Sequence, residues 1–168
     1  MPEKLKVLYF LERYAQISET YIENEIRALG KRHKIRVFSG RELNLRQNDN
    51  MMTYTIVRTR SHVEDVGGDF GPDVIHGHYL TMIERLAEVS RILDAPFTLR
   101  AHSFDTLGTA EAKLREWSEF ANAENCFGFL TFPFTIPALV KAGFKENKLI
   151  PCWPVVAVAA FANREPNG

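Results

Sequence analysis

The feature that most constrains this chain is a regular alternation. Short apolar runs are separated by stretches whose apolar residues recur at helical spacing. The runs are LKVLYFL (5–11), IRVFS (35–39), TYTIVR (53–58), DVIH (73–76), FTLRAH (97–102), CFGFLTF (126–132) and KLIPCW (148–153). Each is too short for a helix of ordinary length. A run without polar alternation, as in LKVLYFL, suits a strand buried on both faces, as in a parallel sheet, while TYTIVR alternates well enough to be a strand. Strands alternating with helices imply βαβ units, so the expected fold class is α/β: a parallel sheet with helices on both faces.

The helical spacing is clear in four places. In SETYIENEIRALGKR, Ile22, Ile26 and Leu29 share one face, with Ser18 or Thr20 able to cap the start and Thr20 and Glu23 at capping-box spacing. Leu80, Ile83, Leu86, Ala87 and Ser90 define a second helix over about 80–93, and further helices are predicted over about 109–124 and 134–143. The polar stretch 40–52 and the turn-rich VGGDFGPD (66–73) read as loops. Residues 1–154 read as one domain, with 155–168 as a trailing linker.

Composition narrows the function classes. Lys+Arg and Asp+Glu both number 21, a zero formal charge that argues against a general nucleic-acid binder. The basic run KRHKIR (31–36) reads as a solvated turn, with peripheral contact to anionic lipid headgroups as the alternative. Cys126 and Cys152 lack metal-ligand spacing and read as free thiols of a reducing compartment. The chain shows neither a signal-peptide core nor an apolar run long enough to span a bilayer, so the expected location is cytoplasmic.

In a parallel α/β sheet, ligands gather beyond the carboxyl ends of the strands. His76 and His78 end the fourth run, His102 ends the fifth, and Ser18, Glu19 and Thr20 open the helix after the first, so all fall on one rim. Alternate strand residues share a face, so His76 and His78 could ligate a metal with His102 as a third donor. No carboxylate is evidently placed to complete that set, and packing or hydrogen bonding without metal is the favoured reading. Gly77 between them removes bulk where a ligand or a strand could approach. His102 and Asp105 form the stronger pair, because an imidazole near neutrality can move a proton or bind a hydroxyl or phosphate. The alternative for that pair is tying down a loop. Free N–H groups at 18–20 could receive a phosphate, or could simply be capped. Neither GxGxxG nor GxxxxGK[ST] follows the first run, which removes the main support for nicotinamide or P-loop chemistry.

Taken together, KVLYFLERYAQISETYIENEIRALGKRHKIRVFS, PDVIHGHYL and FTLRAHSFD resemble the N-terminal domain of GT-B glycosyltransferases of family 4. The later stretch FLTFPFTIPALVKAGFKENKLIPCWPVV resembles that family's continuation toward its interdomain linker, so the likeness covers about 5–161. The chain departs from the family at Ser103, where a glycine is usual, at Thr131-Phe132, where a serine is usual, and in the linker CWPVV.

The resemblance implies a single Rossmann-like domain, one half of a GT-B fold. It implies an acceptor-binding role in a retaining transfer from a nucleotide-sugar donor, with that donor as substrate and with no metal cofactor. His102 and Asp105 would be the catalytic residues, His102 near the transferred sugar or its phosphate and Asp105 shaping the acceptor side. Ser18, Glu19 and Thr20 would face the pyrophosphate, while His76, His78 and Ser103 would line the acceptor side. The implied partners are a C-terminal Rossmann-like domain carrying the nucleotide, which this sequence does not include, and a sugar, lipid-linked or polysaccharide acceptor. Without that domain no transfer is expected. The family's E-x7-E pair belongs to the other half, so Glu111 and Glu119 read as solvated helix positions. The alternative function is a stand-alone, non-catalytic binding or scaffold module that keeps the fold. A small hydrolase is disfavoured because neither Ser18 nor Ser103 lies in a G-x-S-x-G elbow.

Overall fold

A computed structural model describes residues 3–14, 20–41 and 53–153. All seven apolar runs are strands: β1 (Lys6–Arg13), β2 (Lys34–Arg41), β3 (Tyr54–Ile56), β4 (Val74–His78), β5 (Phe97–Arg100), β6 (Cys126–Thr131) and β7 (Leu149–Pro151). They form one parallel sheet in the order β3-β2-β1-β4-β5-β6-β7. The chain runs outward from β1 in one direction, then returns to lay β4 on β1's other side. Strand order therefore reverses between β1 and β4, the place where open α/β sheets form a crevice.

Among the described residues, six α-helices connect the strands: α1 (Thr20–Gly30), α2 (Arg60–Phe70), α3 (Ile83–Leu93), α4 (Ser103–Leu107), α5 (Glu111–Ala121) and α6 (Ile136–Lys141). Right-handed crossovers place the connections to one side of β1 on one face and those to the other side on the opposite face. The core divides accordingly. Leu8, Phe10, Ile75, Phe97, Leu99 and Phe129 pack with residues of α2, α3, α5 and α6. Val7, Tyr9, Leu11 and Val37 pack with Ile22 and Ile26 of α1. Among the described residues, α1 is the helix packed on that face, and a groove opens beside it.

Two helices differ from the sequence reading. α2 occupies residues that read as loop, because Gly67, Gly68 and Gly71 look like a turn. Thr59 caps the helix by accepting from the His62 N–H at 3.2 Å, and Gly71 ends it in the left-handed region at φ 57°. Gly67 is required for packing, since a Cβ there would lie 2.7 Å from Leu93 Cδ2. Gly77 serves the same purpose: its missing Cβ would meet Leu86 Cδ1 at 2.5 Å, so the close neighbour is α3, not a ligand or another strand. The other unanticipated element is α4, a single short turn directly after His102. Most of the loop 40–52 and all of 155–168 lie outside the described residues.

Candidate functional site

The site grows from the side-chain alternation of three strands. On β1, β4 and β5, Tyr9, His76, His78, Thr98 and Arg100 all point to the α1 face. Register sets Tyr9 beside His76, His76 beside Thr98 and His78 beside Arg100. From α1, Glu25 projects into this cluster from the turn between Ile22 and Ile26. Glu25 is 8% exposed, Arg100 5% and His78 0%, so charge has been carried into the interior.

The buried charges are paired. Arg100 Nη1 donates to Glu25 Oε2 at 2.5 Å and Nη2 donates to the Trp153 carbonyl at 2.6 Å. The Tyr9 hydroxyl donates to Glu25 Oε1 at 2.8 Å. His76 Nε2 and His78 Nε2 lie 3.3 and 3.5 Å from the same oxygen. They are not aligned for hydrogen bonding, and both nitrogens are buried without a partner among the described residues. A buried polar atom left so costs about 1–3 kcal/mol. Each ring's other nitrogen is engaged: His76 Nδ1 with Thr98 Oγ1 at 2.7 Å, and His78 Nδ1 with His102 Nε2 at 3.2 Å.

Burial opposes ionisation of Glu25, but the imidazoles turned toward it prevail and hold its carboxyl well below the usual range. Burial lowers His78 to about 4 and His102 to about 3, the latter aided by His78 and Arg100, so both rings are neutral at physiological pH. Closely spaced polar groups thus run from Arg100 through Glu25 and His78 to His102 at the rim, hydrogen-bonded from Arg100 to Glu25 and between His78 and His102, with a 3.5 Å approach between Glu25 and His78. Aromatic rings enclose the outer end of this row: Tyr79 and Tyr21 lie 4.7 and 5.1 Å from the His102 ring centroid. The Tyr21 and Tyr79 hydroxyls are in contact. Tyr79 adopts φ 70°, a region costly for a bulky residue, directly after β4.

The structure gathers His76, His78 and His102 as the sequence suggests, but Glu25, not His102, is the third group facing the two Nε2 atoms. This supplies the carboxylate that no sequence spacing revealed. The Asp105 carboxylate is bonded to backbone rather than to the His102 ring, and the two residues form a capping box in which the His102 side chain faces the Asp105 backbone N–H. Asp105 Oδ1 accepts the His102 backbone N–H at 2.8 Å and its Oδ2 accepts the Leu80 N–H at 2.7 Å. It therefore braces the rim, joining the start of α4 to the end of β4. Burial raises its carboxyl to about 6 despite those bonds. Ser103 opens α4 and is half-buried; Thr20 opens α1; Ser18, Glu19 and the Thr20 side chain lie outside the described residues.

Other residues weighed in the sequence have contacts of their own. Arg36 of the basic run donates to the Val66 carbonyl at 2.8 Å and lies over the Phe70 ring, so it anchors α2. Glu111 pairs with Arg115 and Lys141 at the surface, and Glu119 is exposed. Cys126 and Cys152 are free thiols.

Tyr9, Glu25, Arg100, Tyr21 and Tyr79 were not singled out in the sequence. Two signals were available: Glu25 interrupts the inward stripe of α1, and Arg100 ends an otherwise apolar strand. A charged residue at a buried position needs a partner.

Sheet order, helix placement and the rim cluster define a single Rossmann-like α/β domain. No protein-family model and no curated protein matches the sequence. Solved structures share the fold. HepE from Anabaena, in complex with UDP-glucose, aligns at TM-score 0.70 and 15% identity over 92% of this chain and 45% of its own. HepE bound to UDP aligns at 0.72 and 13% identity, covering 94% and 46%. The lipopolysaccharide outer core galactosyltransferase WaaB, in its apo form, aligns at 0.56 and 10% identity, covering 87% and 44%. These neighbours are GT-B glycosyltransferases. This chain spans less than half the length of each. Among the described residues, no helix is long and apolar enough to cross a membrane.

Proposed function

We propose that this domain is the acceptor-side wall of a retaining glycosyltransferase cleft, in which a sugar leaves a nucleotide-sugar donor. The observation that carries this reading is the row of polar groups ending at His102. It lies at the carboxyl edge of β4 and β5, beside the strand-order reversal, in a fold whose neighbours include a UDP-glucose complex.

In this reading His102 touches the transferred sugar or its phosphate. A neutral imidazole can donate a hydrogen bond to a hydroxyl or to a developing anionic oxygen without adding a desolvated charge. Asp105 positions it by holding its backbone. Ser18, Glu19 and Thr20 face the donor pyrophosphate, and His76, His78 and Ser103 shape the acceptor side. A second Rossmann-like domain holds the nucleotide and supplies most of the stabilisation of the leaving phosphate. The exposed Phe104, Phe134 and Trp153 favour an apolar or carbohydrate contact at the same edge, as a lipid-linked or polysaccharide acceptor would offer. Action on such an acceptor would take place at the inner face of the membrane.

The test is release of nucleotide from UDP-sugars by the native protein purified from its source cells, compared with His102→Gln. A loss of about 10²-fold or more in kcat/KM with an unchanged circular dichroism spectrum is expected. Equal turnover would remove His102 from the reaction.

A further inference from the structure

We infer that Glu25, His76 and His78 form a binding site for one zinc-class divalent ion, a property beyond the sugar-transfer reading. The argument starts from the two unpartnered Nε2 atoms. One ligand atom from each residue lies within 4.8 Å of the others, and all three residues are buried. His76 and His78 Nε2 stand 3.3 and 3.5 Å from Glu25 Oε1. A tetrahedral zinc with bonds of about 2.0–2.2 Å separates adjacent ligand atoms by about 3.3–3.5 Å, so these spacings match two edges of that tetrahedron.

The surrounding groups prepare the donors. Thr98 and His102 engage the Nδ1 atoms of His76 and His78, which leaves each Nε2 turned inward. An ion would be bound in the tautomer whose Nδ1 proton is shared with Thr98 Oγ1 or His102 Nε2, so that both Nε2 lone pairs and a carboxylate oxygen converge on it. Arg100 occupies Glu25 Oε2, so the carboxylate is fixed with Oε1 toward the imidazoles, where it also accepts from the Tyr9 hydroxyl at 2.8 Å. Outer hydrogen bonds of this kind orient metal ligands in known sites. The Arg100 charge also sets the class of ion. It weakens any cation that relies on carboxylate charge, as magnesium and calcium do, and favours one that binds chiefly through imidazole nitrogen.

Access is available from the α1 face. Glu25, His76, Thr98 and Arg100 line the groove beside α1, together with Val7 and Trp153. Three protein ligands leave a fourth position for water. The bound ion would join α1 to β4 across this face of the sheet.

The test uses the 168-residue chain, stripped with chelator and titrated with Zn²⁺ by calorimetry and with Co²⁺ by visible absorption. The expected result is one ion per chain, a rise in Tm on adding Zn²⁺, and the intense visible bands of tetrahedral Co²⁺. Glu25→Gln keeps the side-chain volume and should abolish those bands. Thr98→Val leaves all three ligands in place and should weaken binding by about tenfold through the loss of His76 orientation. If Glu25→Gln does not fold, Thr98→Val and His76→Gln carry the test. Absence of binding, or binding that Thr98→Val and His76→Gln leave unchanged, as expected for ions held by exposed histidines, would overturn the inference.

Discussion

Replacing Glu25 with alanine isolates the electrostatic centre of the domain. The substitution leaves the Arg100 guanidinium, 5% exposed, without its carboxylate and the Tyr9 hydroxyl without its acceptor. Breaking a buried ion pair by removing one partner costs about 3–5 kcal/mol, because the remaining charge stays desolvated. The Tyr9 hydroxyl adds to this, but the two losses share one site and do not sum fully. Arg100 keeps its bond to the Trp153 carbonyl, which tempers the loss. We therefore expect about 3–5 kcal/mol, a large fraction of the roughly 5–15 kcal/mol available to a domain. Urea unfolding in chelating buffer measures it directly, as a lower midpoint at unchanged slope. The double substitution Glu25→Met with Arg100→Met should recover most of the loss, since an apolar pair carries no desolvation penalty. A loss below about 1 kcal/mol, the scale of an exposed pair, would refute the claim that this pair is buried and essential.

Three further outcomes follow from the geometry. Gly77→Ala should cost about 1–3 kcal/mol by overpacking against Leu86, and adding Leu86→Ala should relieve the clash; an unchanged midpoint for Gly77→Ala would contradict the packing. Asp105→Asn should lose about 1–3 kcal/mol, because an amide can accept only one of the two N–H bonds from Leu80 and His102. Acid should weaken the domain. His78 and His102 have folded values lowered from 6.5 to about 4 and about 3, so the unfolded chain takes up two more protons as pH falls below 6.5. Asp105, raised from 3.8 to about 6, opposes this by one proton between about pH 6 and 5, above the range in which the unfolded chain also protonates Glu25, held low in the fold. The net is one proton, a loss of about 1.4 kcal/mol per pH unit in that window. His102→Gln should bring the slope near zero, and a slope unaffected by that change would refute the assignment.

Much of the fold was legible because most of the buried parallel strands are short apolar runs and TYTIVR alternates, and all seven runs became strands. α2 was hidden because its glycines serve packing against Leu93 and a left-handed cap, which in sequence look like a turn. The rim histidines were legible because they end strands. Their partners were not: Glu25 meets Arg100 across 75 residues and His76 meets Thr98 across 22, and such pairings depend on sheet order and register. Asp105 reads in sequence as a partner for the His102 ring three residues away, yet the turn into α4 directs its carboxylate to backbone N–H groups instead. Tyr79 gives no sequence sign of its positive φ.

The most direct test of the sugar-transfer reading is UDP release from UDP-glucose by the native protein, wild type against His102→Gln, with fold checked by circular dichroism. Transfer in the wild type and a fall of about 10²-fold or more in the variant is the expected result. Turnover that survives the substitution intact would place the reaction elsewhere than at the rim where His78 meets His102.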